Sequence, residues 1–358
     1  MFYLCGLFVH DLDARILQGK LENGLTYYIH EDPSNKGRVL LKLLLKVGSL
    51  QEQENERGLA HFVEHMAFKG SKNFEGALGI ETLANLGVGF GQELNAFTSF
   101  DHTIYQIDLP LKKASALSKA FLLMSDWAFR LQIRESAVDS EREVILDEKR
   151  RSLNPIKLKK IERWGFLAEG SRYTKRHPIG LEKIIREVST DTIRDFYHRW
   201  YQAKNMAVVV SGDIRARRIE KKIHEYFSDN IVDSNALIAP YPIPIPEDDK
   251  FLVERLPHQR AALIRIIYKR EPIEGSVREK ELDELYTYLF RSVAEERFLA
   301  LQEELGSKAI QFSVEHVVLP LQLFKFRTWS AIDKEANCVQ SLLREIECMR
   351  RYGVHQRE

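Results

Sequence analysis

Two histidines and one glutamate lie close together in the short segment HFVEH, residues 61–65. On a helix, residues four apart share one face, so His61 and His65 can direct their imidazoles at a single point. Neutral imidazoles bind zinc at about 2.0–2.1 Å. Glu64 stands one turn from His61, where its carboxylate can hold a water beside the metal and accept a proton from it. The spacing, the reverse of the order HExxH, therefore predicts a metal site with Glu64 as the base.

A third protein ligand should exist, because a catalytic zinc ion keeps three protein ligands and one open position. Glu141 and Glu148 are seven residues apart in a helical pattern and share a face to within about 20°. The apolar run VIL between them indicates a helix that is mostly buried, where a carboxylate is costly unless it is paired or binds a cation. The spacing permits either glutamate. The alternatives are a chance HFVEH pattern on an ordinary helix and a surface helix rich in Glu–Arg pairs.

Strand and helix patterns intermix over the part of the chain that must position these residues. The hairpin signal Asn23-Gly24 joins two strands within 19–33, and 38–49 is nearly continuous aliphatic residue, as in a strand covered on both faces. Further strands are predicted at 94–99, 102–110 and 206–213, and helices at 57–69, 76–86, 111–132, 135–152, 189–201 and 214–227. This mixture predicts an α+β fold, a layered sandwich of helices on a sheet.

A proline-rich segment, APYPIPIPEDD, has the composition of an extended linker. We therefore expect a first domain at 1–235, a linker at 236–250 and a second domain at 251–358. The second domain has a strand pattern at 261–269 and helical patterns at 277–304 and 333–352. The second domain is shorter than the first, so we expect it to be an incomplete domain of similar type.

The composition excludes several classes of function. Lys and Arg total 53 against 52 for Asp and Glu, so no global positive field attracts nucleic acid. Three scattered cysteines are too few for a disulfide framework, and no stretch approaches the ~18 apolar residues of a membrane span. The opening MFYLCGLFV lacks the basic region and cleavage site of a signal peptide. Both a cytoplasmic and a periplasmic location stay open.

Five separated blocks resemble, in order, the pitrilysin/insulinase family of inverted zincins, particularly its bacterial periplasmic-type zinc peptidases. The blocks are GLAHFVEHMAFKGSKNFEG, LNAFTSFDHTIYQIDLP, EREVILDEKRR, HPIG and FYHRWYQAKNMAVVVSGDI. The resemblance covers about 18–228, and beyond residue 250 it concerns only the general layout. It implies a two-layer α/β sandwich of the mitochondrial-processing-peptidase/pitrilysin type, with one complete domain and a partial second one.

The resemblance also assigns roles that the spacing left open. His61 and His65 match the two histidine ligands of one zinc ion per chain, and Glu64 matches the catalytic base. Glu148 matches the third ligand, because the second glutamate of the family's Glu-x6-Glu pattern binds the metal. Glu141 matches a carboxylate that supports the site and is counted with Glu64 among the catalytic residues.

Asn95 and Ala96 resemble the family's edge strand, on which a substrate peptide adds as a further strand. The resemblance thus implies a zinc endopeptidase that acts on peptides or unstructured protein segments. In the family, a second homologous half closes a chamber and supplies an arginine–tyrosine pair, for which no counterpart can be named here. The alternative is a non-catalytic peptide-binding or assembly subunit that keeps the fold and the metal site.

Overall fold

A computed structural model describes residues 16–113, 115–228, 236, 238–239, 241–248, 261–271, 273–304, 322–331 and 334–353. The chain divides into two compact units, Met1–Tyr241 and Pro242–Glu358. The division falls within the proline-rich segment. The domain limits 1–235, 236–250 and 251–358 stay a prediction.

The first unit places helices on a six-stranded mixed sheet with the strand order β1-β2-β6-β3-β5-β4. Its strands are β1 (Ile16–Lys20), β2 (Thr26–Glu31), β3 (Arg38–Leu45), β4 (Leu94–Thr98), β5 (Thr103–Pro110) and β6 (Met206–Gly212). Its helices are α1 (Leu59–Met66), α2 (Leu78–Ala84), α3 (Ala116–Phe129), α4 (Glu135–Ser152), α5 (Pro155–Leu167), α6 (Glu182–Glu187), α7 (Thr190–Trp200) and α8 (Ala216–Phe227). β2 pairs with β6 in parallel, and the other neighbours are antiparallel.

The second unit is smaller in its described residues. It contains β7 (Ala261–Arg270), α9 (Val277–Glu304), β8 (Gln322–Ala331) and α10 (Glu335–Tyr352). β7 and β8 form an antiparallel pair. Apolar side chains of α9 and α10 pack with Phe326 of β8 in a core of their own.

The core of the first unit lies between one face of the sheet and the helices. On β3, the odd-numbered residues from Val39 to Leu45 are buried, whereas Leu40, Lys42 and Leu44 on the opposite face are only half-buried. The prediction that this strand is covered on both faces is therefore wrong. Leucines occupy both faces of the strand, but the helices bury only one of these faces completely.

The predicted hairpin is confirmed, since β1 pairs with β2 and Gly24 has a φ of 92° at the turn. Only glycine adopts that left-handed backbone without strain. The Asn23 side chain accepts a hydrogen bond from the Leu25 backbone N–H at 3.1 Å, which fixes the turn further.

Helix α4 has the predicted limits, but its burial differs from the prediction. Glu141 and Ile145 are buried, whereas Val144 is exposed. The helix is therefore amphipathic rather than mostly buried. Helix α5 starts directly after it: Asn154 accepts a hydrogen bond from the Lys157 N–H at 2.9 Å, and Pro155 occupies the first helical position. The dipeptide Asn154-Pro155 therefore follows the end of α4 and begins α5.

The N-terminus of α1, the helix that carries both histidines, is held by the buried carboxyl group of Glu52. Oε1 of Glu52 accepts a hydrogen bond from the Ala60 N–H at 3.0 Å. Gly58 precedes the helix with a φ of 113°, and a Cβ added to Gly180 would lie 2.4 Å from the Gly58 Cα. Burial raises the pKa of Glu52 to about 8, despite opposing hydrogen bonds from the backbone and the charge of Arg176.

This raised pKa makes stability depend on pH. The folded state keeps the Glu52 proton up to about pH 8, whereas the unfolded chain loses it near 4.5. Stability due to this group is therefore full below 4.5 and falls by about 1.4 kcal/mol per pH unit up to 8. Glu52→Gln keeps an acceptor for the Ala60 N–H and cannot ionise. The free energy of unfolding of this variant, relative to that of wild type, should therefore increase between pH 4.5 and pH 8.

Urea unfolding at pH 5, 6.5 and 8 measures this difference. Glu22→Gln, at an exposed position in the hairpin turn, is the matched control and should give a difference independent of pH. A constant difference for Glu52→Gln would show that Glu52 is ionised in the folded protein.

Candidate metal centre

Three donor atoms from α1 and α4 converge on one point. Nε2 of His61 and Nε2 of His65 are 3.2 Å apart. Oε2 of Glu148 is 3.5 Å from the first nitrogen and 3.2 Å from the second. These three side chains form the cluster with metal-ligand geometry among the residues that the structure describes.

The size of this triangle suits a zinc ion. Bonds of about 2.0–2.2 Å at tetrahedral angles place ligand atoms about 3.3–3.6 Å apart. The observed separations of 3.2–3.5 Å agree with that value. Two imidazoles and one carboxylate also form a donor set of the catalytic zinc type, with room for a fourth ligand. The residues present therefore fit the ion, although ligation by His61, His65 and Glu148 stays a prediction.

Glu141 orients one of the two imidazoles from behind. Nδ1 of His65 lies 2.9 Å from its Oε1, and because a carboxylate only accepts, Nδ1 carries a hydrogen; in the neutral ring, Nε2 therefore has the lone pair that binds a metal. Oε2 of Glu141 pairs with Nζ of Lys69 at 2.5 Å. Burial acts to raise the pKa of Glu141, but the hydrogen bonds from His65 and Lys69 lower it below its ordinary value. Glu141 is thus held ionised.

The two imidazoles differ in their electrostatics because they are so close together. Burial, and next the neighbouring His65, hold the pKa of His61 well below its ordinary value. Burial also acts against the charged form of His65, but hydrogen bonds with Glu141 and Glu148 outweigh it and raise the pKa of His65 to about 9. In the absence of a cation, the surroundings favour a proton on His65 over one on His61. A cation at the centre of the triangle would replace the proton that His65 carries.

Glu64 lies on the same helix and faces the sheet. Burial raises the pKa of Glu64 to about 7, against the opposing effect of a hydrogen bond from Thr98. Oγ1 of Thr98 donates that bond to Oε2 of Glu64 at 2.6 Å. A carboxylate with a pKa near neutrality exchanges protons efficiently at neutral pH.

The remaining predicted residues lie on the edge strand β4. Asn95 is exposed and Ala96 is half-buried, and β4 pairs with β5 at the end of the sheet. The substrate contacts assigned to these two residues stay a prediction. An open cavity of about 620 Å³ is lined by Glu148 and by Val144, Asp147, Arg151 and Ser152.

Sequence reasoning missed Lys69 and Thr98. Lys69 stands four residues after His65, so helical spacing could have placed it beside Glu141. Thr98 follows Ala96 by two residues, and the alternation of a strand could have put both on the face toward α1. Neither signal is strong without knowing which helix packs on the strand.

Comparison with known proteins agrees with this geometry. Residues 27–154 match the family model of the insulinases, peptidase family M16, and residues 187–358 match the model of the M16 inactive domain. The chain belongs to the insulinase family. The resemblance inferred from the five sequence blocks is thereby confirmed.

Named relatives are zinc proteases. "Probable zinc protease PqqL" of Haemophilus influenzae is 34% identical over 247 residues, which are 69% of this chain and 27% of that protein. The protein of the same name in Escherichia coli is 30% identical over 350 residues, which are 97% of this chain and 38% of that protein. The solved first half of the periplasmic protease PqqL from E. coli has a TM-score of 0.86 and 28% identity, covering 97% of this chain and 75% of that one.

The solved relatives confirm the expected fold class, a two-layer α+β sandwich of the pitrilysin type that represents part of one half of such an enzyme. The chain spans between 27% and 38% of the length of three curated relatives. The E. coli protease continues beyond the part that this chain matches. None of the helices in the described residues is long and apolar enough to cross a membrane.

Removing the charge behind His65 should weaken metal binding. Glu141→Gln leaves an acceptor for Nδ1 but no negative charge, so we expect the affinity for Zn²⁺ or Co²⁺ to fall by about tenfold. Competition against a chelating dye measures it. Glu143→Gln, an exposed position on the same helix, should bind as wild type does. Equal affinities for Glu141→Gln and wild type would show that Glu141 does not support the site.

Proposed function

We propose that this chain binds one zinc ion through His61, His65 and Glu148 and is the metal-bearing part of a zinc endopeptidase. The observation that carries the proposal is the triangle of three donor atoms with sides of 3.2–3.5 Å. Membership of the insulinase family and the zinc protease relatives support it.

Zinc, when bound, supplies Lewis acidity that acidifies water and polarises a carbonyl. Glu64 accepts a proton as the water oxygen bonds to the peptide carbonyl carbon, and gives it to the amide nitrogen when the C–N bond breaks. Glu141 keeps the His65 ring oriented throughout, because its charge is balanced by Lys69.

The substrate in this proposal is an extended peptide or an unstructured protein segment. It adds to the edge of the sheet at β4, the strand that contains Asn95 and Ala96. Main-chain pairing of this kind tolerates many side chains. A second homologous half completes the chamber and supplies further contacts, as the greater length of the relatives supports.

Zinc stoichiometry tests the ligand assignment. Glu148→Gln should lose about one equivalent of tightly bound zinc while its circular dichroism stays that of wild type, since the side chain is half exposed. Asp147→Asn is the matched control, because Asp147 lines the same cavity but pairs with Arg150. Retention of a full equivalent by Glu148→Gln would contradict its role as a ligand.

Peptide cleavage tests the base. Glu64→Gln should keep one zinc equivalent and lower kcat by about 10²–10⁴-fold, because general acid–base catalysis contributes that much. Cleavage of a fluorogenic unstructured peptide measures it, with Glu143→Gln as the control. A wild-type protein that holds one zinc and cleaves nothing, alone or with the rest of the enzyme, would favour the non-catalytic peptide-binding subunit.

A further inference from the structure

The edge strand β4 reaches the proposed catalytic base directly. Among the residues that the structure describes, Thr98 is the one hydrogen-bond donor to the Glu64 carboxylate, with 2.6 Å between Oγ1 and Oε2. The contact joins residues 34 positions apart in the chain. Oε1 of Glu64 accepts no hydrogen bond from the described residues, so this oxygen is available to a water.

The Thr98 hydroxyl gives its single hydrogen to Glu64. It lies 3.5 Å from the hydroxyl of Thr103, its partner across the β4–β5 pair. Thr103 is buried and gives its own hydrogen to the carbonyl oxygen of Val47 at 2.9 Å. Each hydroxyl has a single hydrogen, so the two threonines do not compete for one acceptor. A β-branched side chain in a strand is also stiff about χ1, which keeps Oγ1 in place.

The register of β4 explains why this residue faces the base. Alternate residues of a strand point to opposite faces. Leu94 is buried, Ala96 packs against the core and Thr98 contacts α1, whereas Asn95 and Phe97 are exposed on the other face. The strand whose edge would receive a peptide therefore also holds the carboxylate that would act on it.

We propose that Thr98 is a positioning residue for Glu64. It fixes Oε2 so that Oε1 points to the attacking water, and it ties the base to the strand on which the peptide is aligned. This inference rests on the proposed function. A carboxylate with one anchored oxygen samples fewer orientations, so more of its encounters with water are productive.

Two substitutions separate the hydroxyl from the packing. Thr98→Val has nearly the same shape without the donor, and Thr98→Ser keeps the donor. The usual strength of a hydrogen bond to a charged group determines the expected effect. The kcat of Thr98→Val should fall by about 10- to 100-fold, with KM and zinc content unchanged. Thr98→Ser should retain most of kcat. A wild-type kcat for Thr98→Val, or an equal loss in Thr98→Ser, would overturn the proposal.

Crystals of the zinc-loaded variants give a readout that does not depend on turnover. The Glu64 side chain should occupy one conformation in wild type and Thr98→Ser, and more than one in Thr98→Val. An unchanged Glu64 in Thr98→Val would overturn the inference even if the wild type cleaved no peptide. Conversely, an inactive zinc-loaded wild type with a displaced Glu64 in Thr98→Val would defeat the proposed function alone.

Discussion

The candidate metal centre depends on holding two imidazoles and a carboxylate within 3.2–3.5 Å of one another. Such a group is costly in a protein interior unless its charges are balanced and its hydrogen bonds are made. Helix α1 is almost wholly buried, and α4 meets it with Glu141 and Glu148 on one face. Apolar packing around the helices therefore brings these groups together, and the polar contacts around them fix their orientation.

The surroundings of the triangle show how this cost is met. Glu141 and Lys69 fix one ring from behind, and Thr98 fixes the neighbouring carboxylate from the sheet. Glu52 holds the start of the helix that carries both rings. Each support comes from a different element, so the geometry of the centre reflects the whole layer packing.

Much of the fold and of the centre could be predicted because the signals are local. Two histidines at helical spacing, an Asn-Gly turn and a proline after a helix act within a few residues. The choice between Glu141 and Glu148 could not be made from spacing, because it depends on which turn of α4 meets α1. In the structure, Oε2 of Glu148 lies 3.2–3.5 Å from both Nε2 atoms, whereas Glu141 bonds to Nδ1 of His65 and pairs with Lys69. The contact of Thr98 with Glu64 likewise depends on packing between distant segments.

Pairing of Lys69 with Glu141 has a further consequence for the loaded centre. A dication together with the carboxylates of Glu64, Glu141 and Glu148 and the ammonium of Lys69 is electroneutral. An ensemble without net charge loses less solvation energy when bulk water is expelled than the same groups with an uncompensated charge. A peptide that displaces bulk water from the zinc-loaded centre would therefore leave no net charge buried there.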